Sequence, residues 1–157
     1  MPAIGERAPD FELLNHDHRL VRLSDFRGRK VAIFVFRQVH TASCNNQACG
    51  FRDAFARFVA ANTAVLGINT GLPDVLREWR LRHKLPYDIL SDPQHQFMEA
   101  WGVWGMSVAN LIKLPFATRS CWVIDEDGVV IDGKVSVGPG ESLARALAAI
   151  ERARAAR

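Results

Sequence analysis

The stretch Val31-Ala32-Ile33-Phe34-Val35-Phe36-Arg37-Gln38-Val39-His40-Thr41-Ala42-Ser43-Cys44 decides the fold. Its first six residues are uninterrupted apolar, the pattern of a strand covered on both faces. From Ser43 onward a helical pattern begins, with Phe51, Phe55, Phe58 and Val59 at i, i+4, i+7 and i+8, the spacing of a buried stripe. Ser43 is the predicted N-cap, which makes Cys44 the first helical residue. A sulfur there faces N–H donors without intrahelical partners and about half a positive charge, and both favour the thiolate. The strand–loop–helix junction is thus where a thiol becomes a nucleophile.

Working outward, Ala64–Ile68 and Trp122–Ile124 are two further apolar strand-like runs, with helical patterns between them. Pro73 suits a helix first position and is followed by Val75, Leu76 and Trp79 at helical spacing. Asp92-Pro93 opens another helix, with Phe97 and Trp101 four apart and Gly102 as stop. Asp125-Glu126-Asp127-Gly128 reads as a hairpin turn between Trp122–Ile124 and Val129–Ile131, so these last two strands are expected antiparallel and the sheet mixed. After Gly138-Pro139-Gly140, Leu143, Leu147 and Ile150 mark a closing helix, and Phe11 to Leu23 around Asn15-His16-Asp17-His18 looks like a small N-terminal hairpin. The order, βαβ followed by αββα, is that of a thioredoxin-like α/β fold with a central mixed sheet flanked by helices. Without an internal repeat, low-complexity tract or linker, residues 1–157 are expected to form a single domain.

Composition agrees with an ordinary globular chain: 157 residues, 48% hydrophobic and 24% charged. A domain near this length removes roughly 68–70% of its unfolded surface from water, so no disulfide or metal is needed to hold it together. The three cysteines, an odd count without the dense spacing of a secreted disulfide scaffold, point to a reducing, cytoplasmic setting. The start lacks a basic region followed by a long apolar stretch, and no run approaches the roughly 18 apolar residues of a membrane span, so neither export nor insertion is expected. The net charge of +3 comes from scattered arginines, including Arg152, Arg154 and Arg157, which read as a solvated helix end. Nucleic-acid binding would need a denser patch.

Several motifs together carry a family resemblance. Pro9-Asp10-Phe11, Leu23-Ser24-Asp25-Phe26-Arg27-Gly28, the Thr41-x-x-Cys44 loop, Ala48-Cys49-Gly50-Phe51-Arg52-Asp53, Leu90-Ser91-Asp92-Pro93 and Arg119-Ser120 make nearly the whole chain resemble a peroxiredoxin. The spacing Cys44-x-x-x-x-Cys49 is similar to that of the peroxiredoxin Q, or bacterioferritin comigratory protein, subfamily. The resemblance implies a thiol peroxidase for hydrogen peroxide and organic hydroperoxides. In it Cys44 is the peroxidatic cysteine, Thr41 hydrogen-bonds the sulfur and the peroxide, and Arg119 polarises both. Cys49 is the resolving thiol, closing an intramolecular disulfide that thioredoxin or a similar dithiol reopens. The resemblance further implies a monomer or homodimer and no metal, haem or flavin.

The departure is Arg37, because the family motif P-x-x-x-T-x-x-C has proline where this chain has arginine. That cation either stabilises the thiolate, attracts anionic substrates or points into solvent. It also opens an alternative reading: a thioredoxin-fold redox sensor or binding module with slow peroxide turnover. A thiol–disulfide oxidoreductase fits less well, because C-x-x-C is absent. Cys121, beside Trp122 and Val123, reads as core. His40 reads as solvated, and His16, His18, His83 and His95 as surface. Zinc held by Cys44, Cys49 and His40 fails on ligand count and spacing. The apolar segment Leu111 to Phe116 reads as a loop that packs in the core, a dimer contact, or a wall for alkyl chains.

Overall fold

A computed structural model describes residues 1–108 and 112–156, with side chains for these outside 106–108 and 112–114. A hairpin of β1 (Glu12–Asn15) and β2 (Leu20–Arg22) opens the chain, and β3 (Lys30–Val35) leads to α1 (Ala42–Asp53) and α2 (Phe55–Ala60). Then come β4 (Thr63–Asn69), α3 (Pro73–Arg82), β5 (Asp88–Ser91), α4 (Gln96–Ala100), β6 (Trp104–Val108) and β7 (Ile112–Ala117). The chain closes with β8 (Ser120–Ile124), β9 (Val130–Val135) and α5 (Pro139–Ala155). Seven strands form one mixed sheet in the order β2-β1-β5-β4-β3-β8-β9, as the thioredoxin-like expectation requires, and β6 pairs with β7 separately.

β3 and β4 lie mid-sheet and are buried along their whole length, which is why their sequences run apolar instead of alternating. One core layer stacks Leu66, Ile68, Phe97 and Trp101 against one face of the sheet, and another packs Phe34, Phe36, Phe51, Phe58 and Trp79 against the other. Phe34 stacks on Phe51 at 4.7 Å between ring centroids, and Phe36 meets Trp79 at 4.6 Å. These aromatic contacts fix α1 and α3 on the sheet face that carries Cys44.

Several sequence expectations need correction. The stripe from Phe51 to Val59 is not one helix face: the chain breaks at Ala54 into α1 and α2, Phe51 and Phe58 are buried, and Val59 is 57% exposed. Val75 also faces outward, leaving Leu76 and Trp79 as the buried face of α3. Isoleucine 112 onward is a strand rather than a loop, since β7 pairs antiparallel with β6; Leu111 and Arg157 lie outside the described residues. Four-residue β5 gave too short an apolar signal to be read as a strand. The Asp125–Gly128 turn does form: Asp125 Oδ1 accepts from Asp127 and Val129 N–H, Gly128 takes φ +84°, and β8 and β9 run antiparallel.

Gly133 faces Trp122 across the β8–β9 ladder, and a Cβ there would lie 2.5 Å from the indole Cε3. Gly133→Ala must therefore displace a buried tryptophan. The expected cost is about 1–3 kcal/mol, read as a lower urea midpoint with unchanged m-value; an unchanged midpoint would show that the indole moves freely.

Candidate active site

The site is assembled where the end of β3 meets the start of β8. Val35 pairs with Ser120 in that antiparallel ladder, which brings residue 119 alongside the loop that leaves β3. The loop is anchored first: Phe36 N–H donates to the Ile68 carbonyl at 3.3 Å, and Asn69 Nδ2 donates to the Phe36 carbonyl at 2.8 Å. On the other side the Arg119 carbonyl accepts from the N–H groups of Ser136 and Val137, at 2.9 and 3.1 Å, so its backbone is tied to the end of β9.

Thr41, not Ser43, caps α1. Thr41 is extended (φ −94°, ψ 146°), and its Oγ1 accepts from Cys44 N–H at 3.4 Å, a long bond, so Cys44 is the third helical residue and Ser43 is already inside the helix. Threonine and serine both cap well, and what decides between Thr41 and Ser43 is that Thr41 adopts extended backbone. The correction matters chemically, because the cap occupies Cys44's own N–H and the sulfur must draw its donors from elsewhere.

Those donors are present. Arg119 Nη2 donates to Cys44 Sγ at 3.1 Å. Cys44 is 1% exposed, and this burial is the largest influence on it, pushing the thiol pKa up. It is outweighed by a hydrogen bond from the Thr41 side chain, backbone hydrogen bonds from Gln38 and Arg37, and the Arg119 charge, which together hold the thiol below its ordinary value. The Thr41 hydroxyl has a second acceptor, the Gln38 carbonyl at 3.2 Å, so its one proton is shared between two claims. Arg119 Nε is buried without a hydrogen-bond partner among the described residues, a donor left for whatever enters.

A cavity of about 510 Å³ opens on the sulfur, lined among others by Arg37, Gln38, Thr41, Arg119 and Ser136, with no acidic residue among the described residues of its wall. Arg37 does not point away: its guanidinium carbon lies 5.4 Å from the centroid of the Phe116 ring, so β7 holds the cation at the cavity. Such a site can host attack by an ionised sulfur on an electrophile whose departing atom gathers negative charge. Donors aimed at that atom lower the barrier most.

The remaining cysteines differ sharply. Cys121 is buried in β8, and burial first, then Asp132, pushes its thiol up to about 12, in keeping with a core role. Cys49 lies on α1 like Cys44, half-buried, with its Sγ 3.9 Å from His83 Nδ1. All three thiols are free. The histidine expectations hold for exposed His18 and His40, His95 is half-buried against Trp104, and His16 and His83 depart from them. His16 is 2% exposed and accepts from Ile89 N–H, and His83 sits beneath Cys49. Nothing local in the sequence marks His83, because 34 residues separate it from its neighbour.

Comparisons with known proteins agree with this geometry. The pattern of the AhpC/TSA family matches residues 4–132. A protein of Haemophilus influenzae named putative peroxiredoxin bcp is 42% identical over 129 residues, covering 82% of this chain and 83% of its own. Peroxiredoxin Bcp of Escherichia coli is 35% identical over 126 residues, covering 80% and 81%. Among solved structures, peroxidoxin BcpB of Mycobacterium tuberculosis superposes with a TM-score of 0.87 at 27% identity, over 100% of this chain and 99% of the other.

The two influences on Cys44 separate in experiment. An unperturbed thiol is a few per cent ionised near pH 7, so complete ionisation adds at most about 30-fold, or roughly 2 kcal/mol. Lowered basicity takes part of that back. Because the folded pKa is depressed, the thiolate is present above that value and is lost as pH falls through it. Arg119→Ala and Thr41→Val are expected to move the iodoacetamide alkylation midpoint of Cys44 up. They are also expected to lower the second-order rate with peroxide by about 100-fold, even above that midpoint. A peroxide loss no greater than the loss of ionisation overturns this division.

Proposed function

Because the chain belongs to the AhpC/TSA family and its named relatives are peroxiredoxins, it is a thiol-dependent peroxidase, and we propose that Cys44 is the thiol that reacts with peroxide. The observation that carries the assignment is the 3.1 Å contact from Arg119 Nη2 to Cys44 Sγ inside a cavity whose described lining is basic and neutral. The sulfur attacks the terminal oxygen of ROOH, the O–O bond breaks, and Cys44 becomes a sulfenic acid while RO⁻ leaves and takes up a proton. Arg119 and Thr41 donate to the two oxygens as that charge develops. A cavity of about 510 Å³ exceeds what hydrogen peroxide fills, which supports organic hydroperoxides as substrates beside it.

Cys49 then resolves the sulfenic acid. Both thiols lie on continuous α1, so their Cα atoms stand about 8–9 Å apart by helix rise and radius, against the roughly 7 Å a disulfide tolerates. The first turn of α1 must unwind before the bond closes. Thioredoxin or a similar dithiol returns the disulfide to two thiols, and the odd count of three cysteines without the dense spacing of a secreted scaffold supports a reducing cytoplasm.

Intact mass after one equivalent of peroxide tests the scheme. Wild type is expected to lose two hydrogens, and Cys49→Ser to gain one oxygen. Thioredoxin-coupled NADPH consumption on adding peroxide is expected to continue for many turnovers and to vanish in Cys44→Ser. Oxidation that stops after one event would instead identify a sensor.

A further inference from the structure

The cluster beneath Cys49 has no part in the reaction of Cys44 with peroxide. His83 caps the C-terminus of α3 and is held against α1 from two sides: Arg52 Nη1 donates to its carbonyl at 2.7 Å, and its Nδ1 lies 3.9 Å from Cys49 Sγ. Trp79 packs edge-on against the imidazole at 5.8 Å. The other ring nitrogen, Nε2, is buried without a hydrogen-bond partner among the described residues, so the ring's one polar contact is the sulfur. We propose that His83 is the base of the resolving step, accepting the Cys49 thiol proton as Cys49 attacks the oxidised Cys44. The inference rests on Cys49 being the resolving thiol.

The step balances without an outside oxidant. Cys49 Sγ attacks the sulfenic sulfur of Cys44, the new S–S bond forms, and the Cys44 S–O bond breaks. The thiol proton passes to His83 Nδ1, the hydroxide leaves as water on taking a proton, and the imidazolium returns to neutral. The reduced state then carries the Nε2–H tautomer, leaving the Nδ1 lone pair toward the thiol.

The charged and titratable groups around the ring are His40 on the loop before α1, Arg52 on α1, Arg82 on α3, and Cys49 itself; Arg52 is in turn paired with Asp53 at 3.0 Å. Burial first, then the charges of His40, Arg52 and Arg82, hold the imidazole below its ordinary pKa, so it is neutral and able to accept a proton at pH 7. The contact also survives the unwinding that resolution needs. The rear of α1 is fastened by Tyr87 Oη donating to the Ala48 carbonyl at 2.6 Å and by Gln47 Nε2 donating to Ser142 Oγ at 3.2 Å, so the Cys44 end moves while Cys49 stays on His83.

Stopped-flow tryptophan fluorescence separates the steps, since sulfenate formation scales with peroxide concentration and resolution does not. In wild type, the peroxide-independent phase is expected to slow as pH falls through the depressed imidazole pKa. His83→Gln is expected to slow that phase tenfold or more and erase the inflection, and added imidazole is expected to restore part of the rate in His83→Ala. The peroxide-dependent phase reports whether each variant is folded around Cys44. Resolution within twofold of wild type, or slowed resolution that keeps the inflection and ignores imidazole, overturns the proposal. If wild type itself loses no two hydrogens on oxidation, the resolving role of Cys49 fails and this inference with it; if wild type closes the disulfide and the His83 variants match it, only this inference fails.

Discussion

The site depends on one strand pairing, Val35 opposite Ser120. That register puts the residue before β8 beside the residues that follow β3, and it is why a guanidinium 75 positions downstream in sequence reaches the sulfur of Cys44. A slip of one residue would turn every side chain of β8 to the other face, carrying Trp122 out of one core layer and Cys121 into it. The register is held by the ladder on both sides, since β8 is paired with β9 as well, and by the fit of the Trp122 ring over Gly133. Catalytic geometry and core packing are therefore set by the same backbone bonds.

Burial of Cys44 works against its ionisation, and the fold resolves the conflict with direction instead of exposure. Moving an isolated thiolate out of water is unfavourable, and here that is the largest single influence on the group. Four donors converge on it all the same: the Thr41 hydroxyl, the backbone at Gln38 and Arg37, and Arg119. Because these dipoles are held by strand ends and a helix cap, they need no reorganisation in the proposed reaction, where charge moves from sulfur to the departing oxygen. A solvent-exposed thiol at the same helix end would ionise more readily yet meet its substrate without that preset field.

The strand runs, the β8–β9 turn and the N-terminal hairpin were legible in the sequence, because each rests on apolar continuity or turn residues; Thr41, Cys49 and Arg119 were marked only by the resemblance to a peroxiredoxin, and the fold sets Thr41 and Arg119 beside Cys44. What escaped depended on tertiary contacts. Thr41 rather than Ser43 caps α1 because the loop after Phe36 is anchored to β4. The helix breaks at Ala54, where periodicity alone carried Val59 onto the buried face, although Phe55 still packs against the core. The sequence left Arg37 open between the thiolate, an anionic substrate and solvent, and it is Phe116, on a strand of the small second sheet, that holds its guanidinium at the cavity. His83 was indistinguishable from a surface histidine until α3 packed it under α1.

Resolution by Cys49, as proposed, asks opposite things of the two ends of α1, and its composition meets both. Relative to alanine, its Ser, Cys, Asn, Gly, Phe and Asp residues cost about 4–5 kcal/mol of intrinsic helix stability, so the helix persists through packing and not through propensity. That packing is uneven. Toward the rear, Gln47, Ala48 and Phe51 are buried and tied to α5, Tyr87 and Phe34. At the front, the side-chain bonds are a long cap bond from Cys44 N–H to Thr41, the Arg119 contact, and Trp79 Nε1 donating to Asn45 Oδ1 at 2.8 Å. In the proposed cycle, oxidation of the sulfur to sulfenic acid removes the thiolate charge that faces Arg119, which weakens that tie and leaves the front of the helix on the long cap bond and the Trp79 bond. The proposed chemical step thus loosens the same turn that the proposed resolution by Cys49 needs unwound.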